Sequence, residues 1–210
     1  MASANFDALH LKLSRRIADP VAAAGTNGTE CSSALRTDYL NRANRMNQQM
    51  VLAQGPEAIS RLLPGLIATD TTATSSGSRS LPSDYAFHVA FQKVSGARAT
   101  FVPARAKADL DQNSNPNMDL AYTIVGGTLY AYDGGVAIAN GSHILYYMKT
   151  DQRASSGDSA DISIDAWWWD TLLALAAHLF YADKGDSQRS AQALQEALSG
   201  TSMVMGNRYG

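Results

Sequence analysis

Apolar positions recur at helical spacing near both ends of the chain and alternate as strands do in its middle. The strongest signal covers residues 167–183. There Trp168, Leu172, Leu175 and Leu179 repeat every three or four residues, with Trp169, Leu173, Ala176 and Phe180 on the neighbouring stripe. Two adjacent stripes make an apolar face too wide for one neighbour to cover, so this helix is predicted to be the spine of the core. Asp165 or Ser163 is its expected cap and Lys184-Gly185 its stop. Asp186 then caps a last helix holding Ala191, Leu194 and Leu198, which Gly200 is expected to end. Residues 201–210 read as a tail, too short and glycine-rich to fold alone, that still carries Met203, Val204, Met205 and Tyr209.

Two helices are predicted near the other end. Residues 5–18 place Phe6, Leu9, Leu13 and Ile17 on one face, and Asp19-Pro20 stops the helix because the residue before proline is pushed out of the helical region. Residues 22–30 are small and glycine-rich, a loop. A longer helix starts at Ser32 or Ser33 and carries Leu35, Tyr39, Ala43, Met46 and Met50 until Gly55-Pro56 stops it. Its polar face holds Arg36, Asp38, Asn41, Arg42, Asn44, Arg45, Asn47 and Gln48. So many amides read either as a solvated face or as a surface meeting another subunit through hydrogen bonds. Another turn or two of helix spans residues 57–63, and residues 69–80, polar and without periodicity, read as an exposed loop.

From Leu81 the period changes to that of strands. Residues 86–94 and 99–102 read as a hairpin across Ser95-Gly96, and a short helix is possible over residues 103–111. Residues 121–125, 128–132, 136–139 and 142–148 are strands separated by Gly126-Gly127, Asp133-Gly134-Gly135 and Asn140-Gly141. Tight turns between short strands predict an antiparallel meander. The expectation is therefore an α+β fold: a helical bundle with a β-rich insertion. It is read as one domain, with N-terminal helices over 1–68, the insertion over 81–150, C-terminal helices over 161–200 and a tail over 201–210.

Composition narrows the classes of function. Seventeen Lys and Arg against nineteen Asp and Glu give a net charge of −2, without the basic footprint of general nucleic-acid binding. Charged residues make up only 17% of the chain, which suits a surface partly covered by partner subunits or one made polar by Ser, Thr, Asn and Gln instead. The one cysteine, Cys31, excludes an internal disulfide and a multi-cysteine metal cage, and fits synthesis in a reducing cytoplasm. The opening residues lack the pattern of a signal peptide, and the tryptophan helix, broken by Asp170 and His178, falls short of a membrane span.

No catalytic, cofactor or metal motif accompanies these elements. His10, His88, His143 and His178 are isolated, and no His-x-x-x-His, phosphate loop or nucleophile elbow occurs. His178 is expected to be a buried ring with a hydrogen bond. Asp109 with Asp111, and Asp158 with Asp161, are expected to be surface carboxylates. Trp167, Trp168 and Trp169 do not make one stacking platform, because successive helical residues turn by about 100°. Two are predicted to face the core while Trp167 touches a neighbour.

The order of elements resembles the head-to-tail adaptor, or connector, proteins of tailed bacteriophages. The resemblance rests on Tyr39-Leu-Asn-Arg-Ala-Asn-Arg45 in the N-terminal helix pair and Leu81-Pro-Ser-Asp-Tyr85 leading into strands. It continues through the Tyr122-Thr-Ile-Val-Gly-Gly-Thr-Leu-Tyr130 hairpin, the Asp161-Ile-Ser-Ile-Asp165 lead, the helix ending Lys184-Gly-Asp186, and the short helix after it. The β insertion is long beside the simplest adaptors, which are mainly helical. The resemblance implies a virion neck protein without enzyme activity or cofactor. It implies a homo-oligomeric ring, commonly of twelve subunits, that binds the portal protein, docks tail or neck proteins and lets genomic DNA pass. Neither a membrane nor specific DNA binding is implied. The family's C-terminal segment reaches the portal, which gives Met203, Val204, Met205, Arg208 and Tyr209 the expected partner contacts. The alternatives are another neck, stopper, tail-completion or minor capsid protein, and a ligand-binding or enzymatic α+β domain with a pocket between the tryptophan helix and the meander.

Overall fold

The computed structural model describes residues 3–94, 98–102, 107–112, 120–133, 136–138, 140–141, 143–150 and 161–206. The fold is α+β, as the periodicities predict. The chain divides into two compact units, one built from Met1–Leu66 with Asp151–Gly210 and the other from Ile67–Thr150.

The first unit is helical. A short strand β1 (Ser3–Asn5) leads into α1 (Phe6–Arg16), α2 (Ser33–Leu52) and α3 (Pro56–Leu62), with a 3₁₀ turn at Pro64–Leu66. Phe6, Leu9, Leu13 and Ile17 are buried, so the predicted face of α1 is the one that packs. Ser32 caps α2 by accepting the Leu35 amide at 3.2 Å. Two buried ionic groups organise the loop between α1 and α2. The Asp19 carboxylate accepts the amides of Thr29, Glu30 and Cys31 at 2.8, 3.1 and 2.9 Å. The Arg36 guanidinium, fully buried, donates to the carbonyls of Cys31 at 2.8 Å, Ala24 at 3.2 Å and Thr26. Burial works to raise the Asp19 pKa, but those amides and the Arg36 charge outweigh it and hold the carboxyl below its ordinary range.

The same unit takes up the chain again with β12 (Asp161–Asp165), which pairs antiparallel with β1. Asp165 and Ser163 therefore lie in a strand and do not cap the tryptophan helix. A 3₁₀ turn at Ala166–Trp168 precedes α5 (Trp169–Asp183), whose N-cap position is Trp168, without a side-chain cap. Trp168 is fully buried, and its indole N–H donates to the Leu62 carbonyl at 2.8 Å. Trp167 and Trp169 are half-buried, with Lys12 lying 4.8 Å from the Trp169 ring centroid. Leu172, Leu173, Leu175, Ala176 and Phe180 are all buried, and α5 contacts α1, α2 and α6, as a spine must.

The last helix, α6 (Ser187–Gly206), does not stop at Gly200. Its inner stripe, Ser190, Ala193, Ala197 and Thr201, is buried and made of small residues, which lets the helix lie close along α5. At Gly200 an added Cβ would stand 2.7 Å from Thr171 Oγ1. The glycine here admits a close approach and is no terminator. Packing on α5 outweighs its low helix propensity of about 1 kcal/mol relative to alanine.

The second unit holds two sheets. One follows the order β10–β3–β4–β8–β7–β6, with β9 added to β8. Its strands are β3 (Thr74–Ser75), β4 (Ser78–Ser80), β6 (Thr100–Phe101), β7 (Ala121–Val125), β8 (Thr128–Asp133), β9 (Val136–Ala137) and β10 (Asn140–Gly141). The other has the order β2–β11–β5, from β2 (Ile67–Asp70), β5 (Tyr85–Lys93) and β11 (His143–Lys149). A helix α4 (Lys107–Gln112) accompanies them, overlapping the region expected to be helical and running one residue past it. Phe91, Leu145 and Tyr147 from the smaller sheet meet Tyr122, Leu129 and Ala131 from the larger in one buried cluster. Gly126 and Gly127, with φ of 56° and 79°, make the two-residue β7–β8 turn that only such residues accept readily.

Three local expectations change. Residues 69–80 are no plain loop, since β2, β3 and β4 fall there. Short polar strands are held by backbone pairing and by buried Arg79, which donates to the carbonyls of Thr72 and Asp70. The meander runs through β7, β8 and β9, after which β11 pairs with β5 and β2. The hairpin from β5 survives only at its mouth, where the Ala99 amide reaches the Phe91 carbonyl at 2.8 Å, because β6 leaves to pair in parallel with β7.

Candidate functional site

The stretch 201–210, whose first six residues belong to α6, and the polar face of α2 are what the sequence nominates for partners. They behave in opposite ways. Met203 is 67% exposed, the most exposed large apolar side chain among the described residues, and Leu198 is 49% exposed. Val204 is half-buried on the same helix. Met205 lies in α6, and its side chain, like Arg208 and Tyr209, is outside what is described. Of the expected partner contacts among the described residues, Met203 is therefore the one presented to solvent.

The amide face of α2 is mostly interior. Arg36, Thr37, Asn44, Asn47 and Gln48 are buried together with Leu40, Ala43 and Val51 at helical spacing. Both readings of that face as an outer surface fail for these residues, although Asp38 and Arg45 remain exposed. Neither amide atom of Asn47 has a hydrogen-bond partner among the described residues, and neither has the Gln48 amide nitrogen. Leu35, expected on the apolar stripe, is 46% exposed. Tyr39, on the edge of the buried stripe, donates to Asp183 at 3.0 Å and clamps α2 to α5. Burial, then the Asp183 bond, pushes the Tyr39 pKa up to about 12.

A groove of about 400 Å³ opens on the helical unit beside α6. That is within the range of roughly 300–1,000 Å³ typical of small-ligand sites. Ala177 and Ala193 form its floor, both buried, and the small side chains there create its depth. Arg16, Tyr181, Arg189 and Glu196 wall it. Tyr181 donates to the Arg16 carbonyl at 3.3 Å, which joins α5 to the end of α1. The Arg16 guanidinium pairs with Glu196, so a cation from α1 meets a carboxylate from α6. Arg189 lies 5.7 Å from the Tyr181 ring centroid, with its Nε 3.5 Å from Asp186. Periodicity gives no hint of this groove, because its members come from three helices and none of them stands out in its own stretch of sequence.

The histidines hold structural positions. His178 is half-buried, not buried, and its Nδ1 lies 3.0 Å from the Ser190 carbonyl and 2.9 Å from the Ser190 hydroxyl, a latch between α5 and α6. His143 stacks on Phe91 at 5.0 Å within the β unit. His88 stacks on Phe101 at 4.0 Å, and burial lowers its pKa. Asp111 accepts from Tyr132 at 2.6 Å, while the Asp109 side chain, Asp158 and the Asp161 side chain lie outside what is described. Among the described residues no three His, Cys, Asp or Glu side chains are placed to hold a metal ion, and no helix is long and apolar enough to cross a membrane.

The protein is thus of the α+β class, with a small-residue helix contact, an exposed α6 flank and a polar groove. The sequence matches no family model and no curated relative.

Proposed function

We propose that this protein is a virion structural component, a head-to-tail connector that forms a ring beneath the portal of a tailed bacteriophage and docks the tail. The observation that carries the reading is the form of α6. A helix of 20 residues uses a narrow stripe of small residues to pack on α5 and leaves Leu198 and Met203 exposed toward its C-terminal half. Such a helix is better suited to presenting a segment to a partner than to closing a core. The chain order adds support, since the two end segments of the sequence build one helical unit and the middle segment builds the β unit. Its role is mechanical: Met203, Val204, Met205, Arg208 and Tyr209 dock on the portal, further copies complete the ring, and DNA passes without being held.

The test is native mass measurement of the protein mixed with the portal protein encoded in the same genome. Thr201 is buried, so deleting residues 201–210 would also strip the last turn of α6. Met203→Asp with removal of residues 207–210 leaves that packing alone. The connector reading expects a ring on the portal with the unaltered chain and none with this variant. A chain that never joins the portal refutes it.

A further inference from the structure

The groove between α1, α5 and α6 has a chemistry that the connector reading does not use. Arg16 commits one guanidinium contact to Glu196, and the Arg189 guanidinium meets Asp186, whose carboxylate also accepts the Arg189 amide at 3.0 Å, through Nε at 3.5 Å, longer than an ordinary hydrogen bond. A guanidinium carries five N–H donors in a rigid fork, so both cations keep donors to offer. They stand on different helices and line one cavity of about 400 Å³ over an apolar floor of Ala177 and Ala193. Two cations over alanines call for an occupant that is anionic at one end and aliphatic behind it. Glu196 already displays that chemistry, as a carboxylate reaching from α6 to Arg16.

We propose that the groove receives an acidic side chain, Glu or Asp, from a peptide segment of a partner protein. Its carboxylate pairs with the Arg16 and Arg189 guanidiniums, and its methylene stem lies on Ala177 and Ala193. Tyr181 orients the site, holding the end of α1 through the Arg16 carbonyl while Arg189 lies over its ring. Glu196 is the internal competitor: the incoming carboxylate displaces it from Arg16. A bare phosphate satisfies the arginines but leaves the alanine floor unused. This deepens the connector reading by giving one partner contact its chemistry, and the groove can fail or stand separately from it.

The experiment titrates the full chain with a terminally blocked Gly-Glu-Glu-Gly peptide, its Lys counterpart and inorganic phosphate, following the methyl resonances of Ala177 and Ala193. The Glu peptide is expected to shift both methyls and the Lys peptide neither, with phosphate binding more weakly. Arg16→Gln and Arg189→Gln should each weaken the Glu peptide about threefold to fivefold, and Glu196→Gln should strengthen it by a similar factor, the range of exposed ion pairs. Circular dichroism verifies that each variant is folded. Equal binding of the Lys peptide, equal binding of phosphate, or arginine variants that bind the Glu peptide unchanged would each overturn the proposal. The same variants separate the two readings. Glu-peptide binding without any portal ring sinks the connector and keeps the groove; a portal ring with no Glu-peptide binding does the reverse.

Discussion

Two helices that pack on each other, α2 and α5, bury opposite kinds of face. α5 buries leucines, alanines and Phe180, the stripe that its periodicity marks. α2 buries Arg36, Thr37, Asn44, Asn47 and Gln48 beside only a few apolar residues. An apolar stripe names its own inner face because burial of such groups is favourable, about 25 cal/mol per Å². A polar stripe says nothing of the kind, since its groups prefer water unless the fold supplies partners. Arg36 donates to three carbonyls of the loop it organises, whereas neither amide atom of Asn47 has a partner among the described residues. α5 therefore supplies stability, and α2 spends part of it on a specified loop and helix pairing.

The first way to break this comparison is on α5. Trp168→Ala removes a fully buried indole and strands the Leu62 carbonyl, and should destabilise the protein by roughly 3–5 kcal/mol in urea melts. A thermally neutral variant would end the spine assignment.

The second concerns the α1–α2 contact. His10 is fully buried, and its Nε2 lies 3.1 Å from Thr37 Oγ1. The Thr37 hydroxyl donates to the Ser33 carbonyl at 3.2 Å, which leaves its oxygen to accept from Nε2–H. Burial, and then the Arg36 charge, lower the His10 pKa from 6.5 to about 4. The unfolded chain takes up the proton first as acid is added. The stabilisation is fully present above pH 6.5 and is lost as pH falls from 6.5 toward 4, by roughly 2–3 kcal/mol. Urea midpoints across that window should fall for the unaltered protein and stay nearly flat for His10→Asn.

Much of the helical unit is legible in the sequence because its signals are local. The Asp19-Pro20 stop, the Ser32 cap, the Leu9 and Leu13 face and the α5 stripes each lie within a few residues. What escapes depends on residues distant in the chain. Gly200 reads as a terminator until Thr171 is seen to press against it. Residues 69–80 read as a loop because their strands are held by Arg79 and by backbone partners far along the chain. Of the candidate contacts, Met203 was visible as an apolar residue in a polar stretch. The Arg16–Arg189 groove was not, since only the packing of three helices assembles it.

The most direct test of the inward amide face compares two equal changes of charge on α2, Asn47→Asp and Gln49→Glu. Asn47 is fully buried and Gln49 exposed two residues later. Chemical denaturation at neutral pH should show Asn47→Asp losing about 2 kcal/mol or more, the cost of an unpaired carboxylate in the interior. Gln49→Glu should stay within about 0.5 kcal/mol of the unaltered chain. If both variants unfold at the same denaturant concentration as the parent, Asn47 faces solvent and the contrast between α2 and α5 is wrong.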